Sequence, residues 1–74
     1  LKDPKTRLQE YLQAQAASLP IYQLEAVTGP EHGQRFEVLC QIPAAGVSFR
    51  GVGSSRREAE QQAASLALLS VTGG

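Results

Sequence analysis

Ser55, Arg56, Arg57 and Glu58 are the residues of this chain whose types and spacing best fit a chemical task. Ser with Glu three positions on reads as a capping box. The Ser55 hydroxyl accepts from the backbone N–H of Glu58, and the Glu58 carboxylate reaches back to the N–H of Ser55. A helix then starts at Arg56. Its N-terminus carries partial positive charge and favours Asp or Glu, so each Arg there opposes the dipole by about 0.3–1 kcal/mol unless something answers it. An external anion would complete such a turn, and phosphate is the leading candidate. The plain alternative is a solvated basic turn with long, mobile side chains.

Other constellations fail. The acids Asp3, Glu10, Glu25, Glu31, Glu37, Glu58 and Glu60 are scattered over helices, strands and a loop. Carboxylates that hold a metal must converge, and nothing in this spacing brings them together. No catalytic residue, metal or cofactor is therefore expected in this chain. His32 and Cys40 could be imagined as base and nucleophile, but Cys40 falls on the apolar side of a strand, where an inert buried thiol is the expectation. Gly51-Val52-Gly53 lacks the third glycine of a dinucleotide fingerprint, and no G-K-[ST] ending makes it a Walker loop. His32 taken alone reads as an exposed loop histidine.

The elements that must position these residues are few. Seventy-four residues allow one domain, residues 1–74, and one small core. A hydrophobic content of 42% fits a compact fold. No apolar run is long enough to cross a membrane and no secretory signal opens the chain, which starts at Leu1 and lacks Met as a piece of a longer protein would. The single Cys40 excludes an internal disulfide and a cysteine-built zinc site, so a cytoplasmic setting is expected, with no membrane or small-molecule partner. The formal net charge is zero, which weighs against a freestanding, strongly basic nucleic-acid binder. Distribution matters more. Arg56 and Arg57 adjoin, and Lys2, Lys5 and Arg7 gather near the start, so a basic patch with weak, salt-sensitive phosphate binding is allowed.

Along the chain, Asp3 caps a helix with Pro4 at its first position, and Leu8, Tyr11 and Leu12 give it an apolar stripe. Thr6, Gln9, Glu10 and Gln13 lie on other faces. Ile21 to Val27 alternates as a strand, with Tyr22, Leu24 and Ala26 on one side and Gln23 and Glu25 on the other. Thr28 to Gln34 is a loop. Phe36, Val38, Cys40 and Ile42 mark a second strand, Pro43 to Gly46 a turn, and Val47 to Val52 a third strand. The final helix carries Ala59, Ala63, Leu66 and Ser70 on one side, widened by Ala64, Ala67 and Leu68, with Glu58, Gln61, Gln62 and Ser65 largely opposite. The order is helix, three antiparallel strands, helix. This is an α+β layer pair, α-β-β-β-α, with both helices on one face of the sheet.

Gly29-Pro30-Glu31-His32, Phe36 four residues on, Gly51-Val52-Gly53-Ser54-Ser55-Arg56-Arg57-Glu58-Ala59 and Ala63-Ala64 together resemble the double-stranded RNA-binding domain. The match runs over nearly the whole chain in the right order. Lys2 to Gln13 with Ser54 to Gln61 is similar more particularly to the C-terminal domain of bacterial ribonuclease III. The resemblance implies three contact regions on A-form RNA. Thr6, Gln9, Glu10 and Gln13 would enter one minor groove, and Pro30, Glu31 and His32 the next. Ser55, Arg56 and Arg57 would meet phosphates across the major groove between them. The RNA major groove is deep and narrow, whereas the wide minor groove exposes 2′-hydroxyls, so recognition would be by shape over roughly 16 base pairs.

One departure counts. The family carries a third Lys where this sequence has Glu60, which is expected to weaken binding. The resemblance further implies a homodimeric parent enzyme whose other domain holds an acidic Mg²⁺ site and cleaves duplex RNA, the isolated domain being a monomer. The rivals are a degenerate copy of the fold used for protein–protein contact, favoured by the zero net charge, and a small enzyme, disfavoured by the scattered acids.

Overall fold

The first helix, α1, runs over Pro4–Ala14 in the computed structural model, which describes residues 1–74. Its first-turn donors are all satisfied. Asp3, in an extended conformation, accepts from the Thr6 N–H at 2.9 Å through its carboxylate. Its carbonyl accepts from the Arg7 N–H at 3.0 Å. Pro4 has no N–H to satisfy, and the Lys5 N–H donates to Gln61 Oε1 at 3.0 Å. Leu8 and Leu12 are buried and Tyr11 is half-buried. The Tyr11 hydroxyl donates to the Val71 carbonyl at 3.0 Å, which ties the start of the chain to its end.

Three strands, β1 (Ile21–Thr28), β2 (Arg35–Ile42) and β3 (Val47–Gly53), form an antiparallel sheet in the order β1-β2-β3. The alternation in β2 is as expected: Val38, Cys40 and Ile42 are buried. In β1 it is broken. The register shifts between Leu24 and Ala26, leaving Glu25 as the extra residue of a β-bulge. Tyr22 and Leu24 lie opposite Cys40 and Val38 as the alternation requires, but Ala26 lies opposite Glu37. Ala26 therefore does not share a face with Tyr22 and Leu24, and Val27 takes that place beside Phe36. A single inserted residue inverts every side chain beyond it because the strand period is two. Arg50 reaches Glu25 at 3.8 Å and Glu37 at 3.7 Å. Thr28 pairs with Arg35, so the connecting loop begins one residue later than the sequence indicates.

The second helix, α2, covers Arg56–Val71. Its buried residues are Ala59, Ala63, Ala64, Ala67 and Leu68, and the last four join Leu8 and Leu12 of α1 and Cys40 and Ile42 of β2 in one core cluster. Leu66 and Ser70 are exposed, Leu66 at 44%. The buried arc is centred on Ala63 and Ala67, and a residue seven positions from Ala59 trails it rather than joining it. Gln62 is not a free surface amide either, because its Oε1 accepts from the backbone N–H of Val52 at 2.5 Å on the outer edge of β3. No helix is long and apolar enough to cross a membrane.

Close approach of α2 to β3 depends on Gly51. A Cβ there would meet the Ala59 carbonyl and the Ala63 amide, and would lie 2.9 Å from Ala63 Cα. Backbone cannot yield as a flexible side chain can. Gly51→Ala is expected to lower stability by about 1–3 kcal/mol, seen as a lower urea midpoint at an unchanged slope. Gly74→Ala, with nothing within 4 Å, is expected to leave the midpoint where it was.

Candidate nucleic-acid interface

Ser55 caps α2 in an extended conformation, and its Oγ accepts from the Glu58 N–H at 3.1 Å. The return half of the capping box is displaced by one residue. The Glu58 carboxylate accepts from the Ser54 N–H at 3.2 Å and the Ser54 hydroxyl at 3.1 Å, not from Ser55. The cap leaves the N–H groups of Arg56 and Arg57 without an intrahelical acceptor, at the positive end of the helix.

Both arginines have partners within the chain. Arg56 Nε donates to Glu60 Oε2 at 3.1 Å, one helical turn along. An Arg57 Nη2 proton points to Asp3 Oδ2 at 3.4 Å, joining the first turns of the two helices. The dipole conflict is thus answered in part from inside. The answer is weak, since the Arg56 and Arg57 side chains remain 53% and 78% exposed and exposed ion pairs contribute little. Glu60 is the better-held partner. Partial burial pushes its carboxyl upward, but the hydrogen bonds and charges of Lys5 and Arg56 prevail and hold it below the usual carboxylate range. The Asp3 carboxyl is likewise lowered, chiefly by its hydrogen bonds from Thr6. Lys5, Arg56 and Arg57 are set against Asp3, Glu58 and Glu60, so this corner carries as many anions as cations.

Thr6, Gln9, Glu10 and Gln13 form an exposed stripe on α1. Glu10 is paired with Lys2 at 2.8 Å. Pro30, Glu31 and His32 are exposed in the loop between β1 and β2. That loop turns through Gly29, whose φ of +90° favours glycine, and closes with a bond from the Gly33 N–H to the Pro30 carbonyl at 2.9 Å. Pairing of Phe36 with Gly53 sets the loop at the end of the sheet from which the chain enters α2. The Asp3–Arg57 contact sets the start of α1 beside that same turn. The start of α1 and the β1–β2 loop therefore both lie at the N-terminal end of α2, and α1 runs on alongside that helix until Tyr11 reaches Val71.

Sequence reasoning missed Lys5 as part of this corner. Its ammonium lies 4.7 Å from the centroid of the Tyr22 ring and bonds Glu60. The Arg56–Glu60 pair had a local signal in its i, i+4 spacing. Lys5–Glu60 spans 55 positions and had none. Lys2, Lys5 and Arg7, neighbours in sequence, go to different partners. Lys2 goes to Glu10 and Lys5 to Glu60, while Arg7 lies along the far half of α2 with Leu66 and Leu69. No three metal-ligating side chains converge. Cys40 is fully buried, and burial raises its thiol.

Known proteins share this arrangement. The family model described as the double-stranded RNA binding motif matches residues 4–71. The chain is 56% identical over 68 residues to Ribonuclease 3 of Nitrosococcus oceani, covering 92% of this chain and 29% of that protein. It is 48% identical over 68 residues to Ribonuclease 3 of Variovorax paradoxus, covering 92% and 30%. The chain thus spans about 30% of the length of these curated relatives. Among solved structures, Arabidopsis HYL1, described for miRNA processing, matches with a TM-score of 0.78 and 34% identity, over 93% of this chain and 96% of that one. A structure of both dsRBDs of DRB4 matches with a TM-score of 0.71 and 34% identity, over 95% and 44%. From its element order, its sheet and a family match reaching from Pro4 to Val71, the chain belongs to the double-stranded RNA-binding domain family, as a homologue of that part of ribonuclease III.

Proposed function

We propose that this domain binds duplex RNA by shape, with phosphates on the first turn of α2 and 2′-hydroxyls at two flanking minor grooves. The observation that carries this reading is that the start of α1 and the β1–β2 loop both lie at the end of the fold where α2 begins. Exposed N–H groups and two guanidinium groups suit phosphate oxygens. Thr6, Gln9 and Gln13 bring small polar groups that donate and accept, as a 2′-hydroxyl does. Pro30, Glu31 and His32 offer a second such surface from the loop. Glu10 joins the stripe through its carboxylate, which can accept from a 2′-hydroxyl once Lys2 shares its charge.

The Ribonuclease 3 relatives extend well beyond this domain. We infer that the domain holds duplex RNA for an attached, Mg²⁺-dependent endonuclease domain in a homodimeric cytoplasmic enzyme. The balance of charge around Arg56 and Arg57 fits a module of moderate affinity that gains from attachment. A second reading, a protein–protein contact on the same fold, draws on the pairing of both arginines with the chain's own carboxylates.

Arg56→Ala and Arg57→Ala are expected to weaken binding to every RNA duplex about equally. Each is expected to flatten the dependence of log K on log salt by roughly one unit per lost phosphate contact. Filter binding at two salt concentrations checks this, and unchanged affinity in both variants moves the protein–protein reading ahead. His32→Ala is expected to weaken RNA binding while the amide spectrum of the folded domain persists. An RNA duplex is expected to bind more tightly than a DNA duplex of the same sequence. Equal affinities for the two would remove the 2′-hydroxyl contacts from the proposal.

A further inference from the structure

Glu60 is a negative charge on a surface that is read above as phosphate-binding. Charge counting alone makes it a brake. The geometry around it points the other way. Its side chain is only 14% exposed, and it is held between Lys5 of α1 and Arg56 of α2. Lys5 is itself fixed over the face of Tyr22, a residue of the sheet, at 4.7 Å. A chain of contacts therefore runs from β1 through Lys5 and Glu60 to Arg56. Glu60 takes only the Nε proton of Arg56. The two terminal nitrogens of the guanidinium have no partner within the chain and belong to a side chain that is 53% exposed. With Nε taken by Glu60, they leave the end-on mode of bidentate phosphate contact open.

We propose that Glu60 is a positioning residue that holds Arg56 with its fork directed at an RNA phosphate, rather than a charge that opposes binding. The proposal rests on the duplex-RNA reading above. An arginine held in place loses less side-chain freedom when the ligand arrives. Lys5 and Arg56 together outweigh the single carboxylate, so holding the arginine in this way does not reverse the local charge.

The two accounts of Glu60 predict opposite signs. If it is a brake, Glu60→Ala and Glu60→Gln both tighten duplex binding. If it positions Arg56, Glu60→Ala weakens binding by roughly two- to tenfold. Glu60→Gln, which keeps one acceptor oxygen, then falls between Ala and the parent chain. Dissociation constants for one RNA duplex are measured for the parent chain, both variants and each variant combined with Arg56→Ala. Folding is checked by amide spectra, and Glu60→Gln carries the test if Glu60→Ala does not fold. In the Arg56→Ala background the Glu60 substitutions are expected to cause no further weakening. Equal or tighter binding by the single variants, with the parent chain binding normally, overturns the inference and leaves the proposed function standing. Undiminished weakening in the Arg56→Ala background also overturns it, because the effect then does not pass through Arg56. Failure of the parent chain to bind any RNA duplex defeats the proposed function and this inference with it.

Discussion

Backbone-to-backbone contact between β3 and α2 is the constraint on which the remaining structure depends. Gly51 has no side chain, and Ala59 and Ala63 have the smallest that still favour a helix, so the helix lies directly on the strand. Larger residues at these positions would lift the helix away from the sheet. That contact fixes the axis of α2 and therefore the place of its first turn. It also brings Gln62 to the edge of β3, where its side-chain oxygen satisfies a strand N–H that no fourth strand pairs. Small domains have little apolar area to spare. Here a sheet, two helices and a short list of Leu, Val, Ile and Ala residues share one core.

With α2 fixed, polar contacts orient α1 against it. Gln61 completes the first turn of α1, Tyr11 bonds the last turn of α2, and Arg57 and Lys5 form ion pairs across the two helices. None of these is a strong interaction by itself. Their value is geometric, because hydrogen bonds accept only a narrow range of angles. They set the exposed stripe of α1 beside the exposed turn of α2.

The electrostatic design of this corner differs from a simple basic patch. Each cation has an anion nearby, and the formal charge of the whole chain is zero. What the corner offers is local order: two outward backbone N–H groups and guanidinium groups placed by their own partners. Ordered donors of this kind suit a ligand with a regular array of oxygens, and the backbone of an A-form duplex is such an array. Under the proposed function, weak long-range attraction combined with short-range donors would favour recognition of shape over accumulation of any polyanion.

The sequence alone determined the features with local causes. Asp3-Pro4 and Ser55 start their helices through contacts spanning three residues. The alternation of Phe36, Val38, Cys40 and Ile42 gives β2 a buried face, since side chains on a strand alternate by backbone geometry. The α-β-β-β-α order and the resemblance to the RNA-binding family were legible for the same reason. Tertiary structure decided what depends on distant partners. The bulge at Glu25 moves Ala26 to the opposite face, and only pairing with β2 reveals it. Arg57 meets Asp3 across 54 positions, and Lys5 meets Glu60 across 55, because the core folds one helix against the other. Periodicity records which way a residue points; which charge it meets is settled only when separate segments pack.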